Sequence, residues 1–131
     1  MQSIAGLFTA TPPTATERAE LPALVDAQGR LIVTTSAAYE TVAASQTAQV
    51  LGAAGAIGDY LAGLLIIPAT VNPGNVLLLD NATSITIFAG GAASLTELKP
   101  LYVPLGIKSV SGAWKITTGA DVSVIGIGNF T

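Results

Sequence analysis

The sequence predicts an all-β protein: an antiparallel, jelly-roll-like β-sandwich preceded by an extended N-terminal arm and a short β-hairpin. Two observations carry that prediction. From Tyr60 onward, short runs of branched apolar residues recur at short intervals with turn-forming clusters between them, the spacing of a sandwich or barrel. Before that point, Pro12-Pro13 within a Thr- and Ala-rich stretch favours an extended, polyproline-like path over a helix. The expected organisation is an attachment segment over 1–42, made of arm, hairpin and linker, and a β-sandwich domain over 43–131.

Taken in order, residues 1–20 form the arm. A hairpin over 22–35 follows, with "ALVDAQGRLIV" placing Gly29 at the left-handed position of its loop. A hairpin alone is marginal and must pack on something. The alanines of "SAAYETVAASQTAQVLGAAGAIG" favour helix, but Gly52, Gly55 and Gly58 oppose it. The reading is therefore a linker passing into a strand near Thr47–Leu51. The remaining strands are expected at Leu61–Ile67, Asn75–Leu79, Ser84–Phe88, Leu101–Ile107, Trp114–Thr118 and Val122–Phe130, broken by "NPG", "DNAT", "AGGAAS", "SVSG" and "TGAD".

One stretch tests this reading. "DYLAGLLIIPATVNPGNVLLLD" has no charge between Asp59 and Asp80 and is long enough to cross a bilayer. Pro68, Pro73 and Gly74 stand in its middle, however, and no Lys or Arg flanks it. It reads as two strands joined through a type II turn, with Pro73 and Gly74 central and Gly74 at positive φ. The strands themselves differ. Ile85 and Ile87 alternate with Ser84 and Thr86, as Trp114 and Ile116 do with Lys115 and Thr117, the pattern of half-buried strands. "LLII", "VLLL" and "VSVIGIG" are apolar on both faces, and a sandwich strand normally has one wet face. A neighbouring subunit or the chain's own arm is the expected cover.

Composition narrows the function classes. The chain has 131 residues, of which 50% are hydrophobic and only 10% charged, against about 25% in an ordinary soluble domain. A compact monomer of this mass exposes about 6,400 Å², so charge is thinly spread. The net charge is −3, and Lys99, Lys108, Lys115, Arg18 and Arg30 form no cluster. Nucleic-acid binding, which needs several cations acting together, is not expected, nor is a basic amphipathic membrane helix. The start, "MQSIAGLFTATPPTATER", lacks the basic and apolar regions of a secretory signal.

There is no Cys and no His, which removes disulfides, thiolate and imidazole nucleophile systems, and most structural zinc sites. Carboxylate pairs drawn from Glu17, Glu20, Asp26, Glu40, Asp59, Asp80, Glu97 and Asp121 could support glycoside hydrolysis. Most sit beside turns, where Asp and Glu cap or solvate. No catalytic residue, metal ligand or cofactor is assigned. "GAAGAIGD" lacks the Lys-Ser/Thr that a phosphate loop needs and reads as a crossing. "NAT" at Asn81 and "NFT" at Asn129 are chance matches to a glycosylation pattern. Tyr39, Tyr60, Tyr102 and Trp114 could stack on sugar rings if exposed together, but Trp114 alternates with Ile116 on a core face.

"QTAQVLGAAGAIGDYLAGLLIIPATVNPG", "IFAGGAASL" and "GAWKITTGADVSVIGIGNF" resemble the C-terminal β-sandwich domain of tailed-bacteriophage virion proteins of the head decoration, head fibre or tail-associated kind. "LVDAQGRLIV" is similar to the hairpin that often leads into such domains. The resemblance implies a homotrimer or other small oligomer on a particle surface, attached to the major capsid protein through its N-terminal segment; synthesis in the host cytoplasm is expected from the lack of a secretory signal. A tail or fibre module binding host-surface glycan is the alternative. A small carboxylate-dependent glycan hydrolase is the reading from another class.

Overall fold

The computed structural model describes residues 27–28 and 37–131. Ala27 and Gln28 form a turn; the rest of the expected arm and hairpin lies outside the described residues. Eight strands follow: β1 (Ala38–Val42), β2 (Gln49–Val50), β3 (Tyr60–Pro68), β4 (Val76–Asp80), β5 (Thr83–Phe88), β6 (Leu101–Lys108), β7 (Trp114–Thr118) and β8 (Val122–Asn129). They form two four-stranded antiparallel sheets of order β1-β8-β3-β6 and β2-β7-β4-β5. That is jelly-roll order, in which successive strands pass between two facing sheets.

The core follows from alternation. Leu64 and Ile66 of β3, Val76 and Leu78 of β4, Trp114 and Ile116 of β7, and Val122 and Val124 of β8 are all buried between the sheets. Each such side chain contributes about 1.5–3 kcal/mol by leaving water. Leu61 belongs with them although it stands three residues before Leu64. The register of β3 shifts between Leu61 and Gly63 against both β6 and β8, so a bulge at Ala62 returns both leucines to the same side. Leu51 fills the space opposite Gly126, where an added Cβ would lie 3.0 Å from Leu51 Cδ1.

Two sequence expectations need correction. Ala38–Val42, read as linker, is a strand paired with β8 from Ala38↔Gly128 to Val42↔Val124. Its single inward apolar residue, Val42, gives too little periodicity to mark a strand in isolation. The second correction concerns Asn72–Asn75. β3 and β4 lie in different sheets, and the segment must cross a gap of about 10 Å instead of folding back in a tight turn. Gly74 is not among the residues of positive φ. Its use is close approach: an added Cβ would lie 2.6 Å from Gly119 Cα. Gly74 N–H donates to the Ala120 carbonyl at 2.7 Å, and Gly119 N–H to that of Asn75 at 2.8 Å. The Asn72 and Asn75 side chains accept N–H bonds from Ala93 and Gly90 at 2.7 and 2.8 Å.

Gly119→Ala should cost about 1–3 kcal/mol, because the new methyl meets backbone that cannot rotate away. Ala48, at φ 49, bears the left-handed Cβ penalty, so Ala48→Gly should gain up to about 1 kcal/mol. Urea unfolding of the two variants should therefore shift in opposite directions.

Candidate functional site

Of the carboxylates singled out in the sequence, Asp59, Asp80 and Glu40 accept hydrogen bonds from the backbone. Asp80, ending β4 and 6% exposed, accepts N–H bonds from Val110 at 2.9 Å, Ser111 at 3.0 Å and Gly112 at 3.2 Å. Asp59, 5% exposed, accepts from Ala56 N at 2.9 Å, Thr131 N at 3.2 Å and Thr131 Oγ1 at 3.1 Å. Its carbonyl takes the Trp114 indole N–H at 2.8 Å and the Ser109 N–H at 3.0 Å. A charge removed from water must be compensated by hydrogen bonds, and converging N–H donors supply strong, charge-assisted ones.

Glu40 receives the Gly52 N–H. Glu97 pairs with Lys99 at 3.1 Å on the surface. Asp121 takes the left-handed conformation, at φ 58, in the β7–β8 turn. Glu17, Glu20 and Asp26 lie outside the described residues. Among the described residues, no group of three or more His, Cys, Asp or Glu is placed to hold a metal ion.

"GAAGAIGD" turns its N–H groups toward its own chain. Gly52 donates to Glu40, Ala54 and Gly55 to the Thr131 carbonyl, Ala56 to Asp59, and Gly58 to Ser109. Ser109, 2% exposed, also donates its hydroxyl to the Ala56 carbonyl at 2.9 Å. Ser109 and Thr131 were missed by sequence reasoning, since nothing near either residue in the chain signals a partner more than fifty positions away. The tied loops present Ile57 and Val110, 67% and 77% exposed.

Trp114 is in the core, as its alternation predicts, and 2% exposed. Tyr39, Tyr60 and Tyr102 belong to the other sheet and are 74%, 39% and 54% exposed. On the outer face of that β1-β8-β3-β6 sheet, register places Thr41, Ile125, Leu65 and Tyr102 in one row and Tyr39, Ile127, Gly63 and Pro104 in the next. Tyr102 lies over Gly63, where an added Cβ would stand 2.5 Å from its hydroxyl.

These four strands carry only two charged residues. Glu40 turns its carboxylate to Gly52, and Lys108 stands at one end of β6. The other sheet's outer face mixes half-buried Leu77 and Leu79 with Lys115, Thr117, Ser84 and Thr86. Leu65, Ile67, Ile125 and Ile127, the outward residues that prompted the expectation of a cover, are half-buried within the single chain. The 89–100 loop holds a shallow depression of about 190 Å³ lined by Ser94, Leu95, Glu97 and Lys99.

No family model, curated protein or solved structure matches the chain.

Asp80→Ala leaves three loop N–H groups without their acceptor and should cost about 3 kcal/mol in urea unfolding. Asp80→Asn keeps one acceptor oxygen and should cost less. Equal losses would show that the charge, and not the number of acceptors, holds the loop.

Proposed function

We propose that this is a non-enzymatic structural protein of a tailed-bacteriophage virion, a capsid decoration or head-fibre protein that binds the major capsid lattice as an oligomer. Its place is the capsid surface, with the arm (1–20) and hairpin (22–35) serving attachment. The observation that carries this reading is the outer face of the β1-β8-β3-β6 sheet: two adjacent rows, Thr41, Ile125, Leu65, Tyr102 and Tyr39, Ile127, Gly63, Pro104, without a charged side chain. Such a face is suited to burial against further protein, and self-association is its simplest use. The resemblance to phage virion proteins supports the same reading and implies a trimer. Jelly rolls recur in viral capsid domains, an analogy of fold alone.

The alternative, a tail or fibre module that binds host-surface glycan, is favoured by Tyr39, Tyr60 and Tyr102 being exposed on one sheet. Flat aromatic faces suit sugar rings as well as protein.

Imaging of intact particles with this chain labelled separates the two. Hundreds of copies distributed over the shell are expected for decoration, and a handful at one vertex would favour the tail reading. In solution, Ile127→Lys places a charge in the middle of the apolar rows. Sedimentation should show loss of the oligomer while the β-sheet circular dichroism spectrum persists.

A further inference from the structure

The two ends of the sandwich differ in chemistry. One is formed by the 69–75, 89–100 and 119–121 segments and exposes Glu97, Lys99 and Asp121. At the other, the 51–60, 80–83 and 107–113 segments hold three charged residues, of which Asp59 and Asp80 are buried and only Lys108 is exposed. Ile57, Tyr60, Ile107 and Val110 are exposed there instead. The two most exposed of these, Ile57 and Val110, stand on loops bonded to each other. Gly58 N–H donates to the Ser109 carbonyl and hydroxyl, both at 3.0 Å, and Ser109 N–H to the Asp59 carbonyl at 3.0 Å. The Asp59 carboxylate holds the Ala56 N–H and the Asp80 carboxylate the Val110 N–H, each at 2.9 Å. The tips are therefore set before any partner arrives, so docking them orders little chain and loses little entropy.

β1 begins at this apolar end: Ala38 pairs with Gly128, and Gly128 with Leu61, two residues from Asp59. The N-terminal segment thus joins the sandwich at the end that carries Ile57 and Val110, and a surface held by the arm and hairpin is brought to that end. We infer that Ile57 and Val110 make a second contact with the protein to which the N-terminal segment attaches, the major capsid protein on the reading proposed above, on which this inference rests. Linkage through the chain makes the second contact intramolecular, so two apolar side chains add affinity that they would not show alone. The matching surface is an apolar hollow in the shell. Exposed apolar side chains grouped on a rigid support mark interaction sites, and filling a hollow removes their area from water. A lipid surface fits less well. Attraction to an anionic membrane accumulates over several Lys and Arg residues, and this end exposes one. Docked in this way, the sandwich turns Glu97, Lys99 and Asp121 away from the shell and leaves the outer face of the β1-β8-β3-β6 sheet free for self-association.

The test uses the full chain and empty shells of the parent particle assembled without it. Ile57→Ser and Val110→Ser change exposed side chains and should leave the circular dichroism spectrum unchanged, while each weakens co-sedimentation with shells about tenfold. Leu98→Ser, an exposed position at the charged end, should bind as the parent does. The chain has no Cys, so a single introduced thiol carries a photo-crosslinker to one known position. On shells, Val110→Cys bearing benzophenone should capture the major capsid protein, and Leu98→Cys should not. Parent-like affinity in the Ile57→Ser/Val110→Ser double variant would overturn the inference while leaving the capsid reading standing. Capture of the labelled chain alone would do the same, as would binding of the parent to phosphatidylcholine–phosphatidylserine vesicles that the two substitutions abolish. A parent protein that binds no shells would remove the capsid reading and this inference together.

Discussion

Two buried carboxylates at one end of the sandwich set the arrangement on which the rest of the structure depends. Asp59 and Asp80 lie out of water, and backbone N–H groups together with the Thr131 hydroxyl meet them. Meeting that demand forces segments far apart in sequence into one place: the 52–59 loop, the 109–112 loop and Thr131. The carbonyl of Asp59 also holds the indole N–H of Trp114, so one residue couples the largest core side chain to the loops around it. Buried polar groups that are fully satisfied rigidify a structure and specify a single arrangement. Among the described residues, no buried side-chain nitrogen or oxygen lacks a partner.

The opposite end is held by backbone contact. Gly74 and Gly119 approach too closely for side chains, and reciprocal N–H bonds tie the 69–75 crossing to the β7–β8 turn. Ser45 N–H adds a bond to the Gly119 carbonyl at 2.9 Å, and Thr118 Oγ1 donates to the Ala43 carbonyl at 2.6 Å. Jelly-roll connections must cross between sheets, so neither end can be closed by tight hairpins alone. The β4–β5 connection, where Asn81 takes φ 58 and Asp80 pairs with Thr83, is a two-residue hairpin.

With both ends anchored, the sheets present surfaces of different chemistry. The β1-β8-β3-β6 face is apolar and aromatic, while the β2-β7-β4-β5 face alternates Leu with Thr, Ser and Lys. A sparsely charged chain can keep such a face exposed or bury it against a neighbour. Burial removes apolar area from water and is favoured, which is why the outer face, more than any cleft, directs the functional reading. Of the carboxylates that sequence reasoning offered to a hydrolase, Glu40, Asp59 and Asp80 accept backbone N–H bonds.

Strand identity was legible because alternation is local: Ile85 and Ile87 around Thr86, or Trp114 and Ile116 around Lys115, declare a half-buried strand within a few residues. The six strands from β3 to β8 fall where those patterns place them. The absence of His and Cys is likewise read directly from the chain. What sequence alone could not decide is which strand neighbours which, because pairing is set by contacts distant along the chain. The role of Val42–Ala38 as an edge beside β8, the crossing at Asn72–Asn75, the bulge at Ala62 and the meeting of Asp59 with Ser109 and Thr131 all depend on partners tens of residues away. Local pattern chose the elements and their faces; the tertiary structure chose their order, since only in three dimensions do the buried carboxylates and the closely packed glycines meet the groups they require.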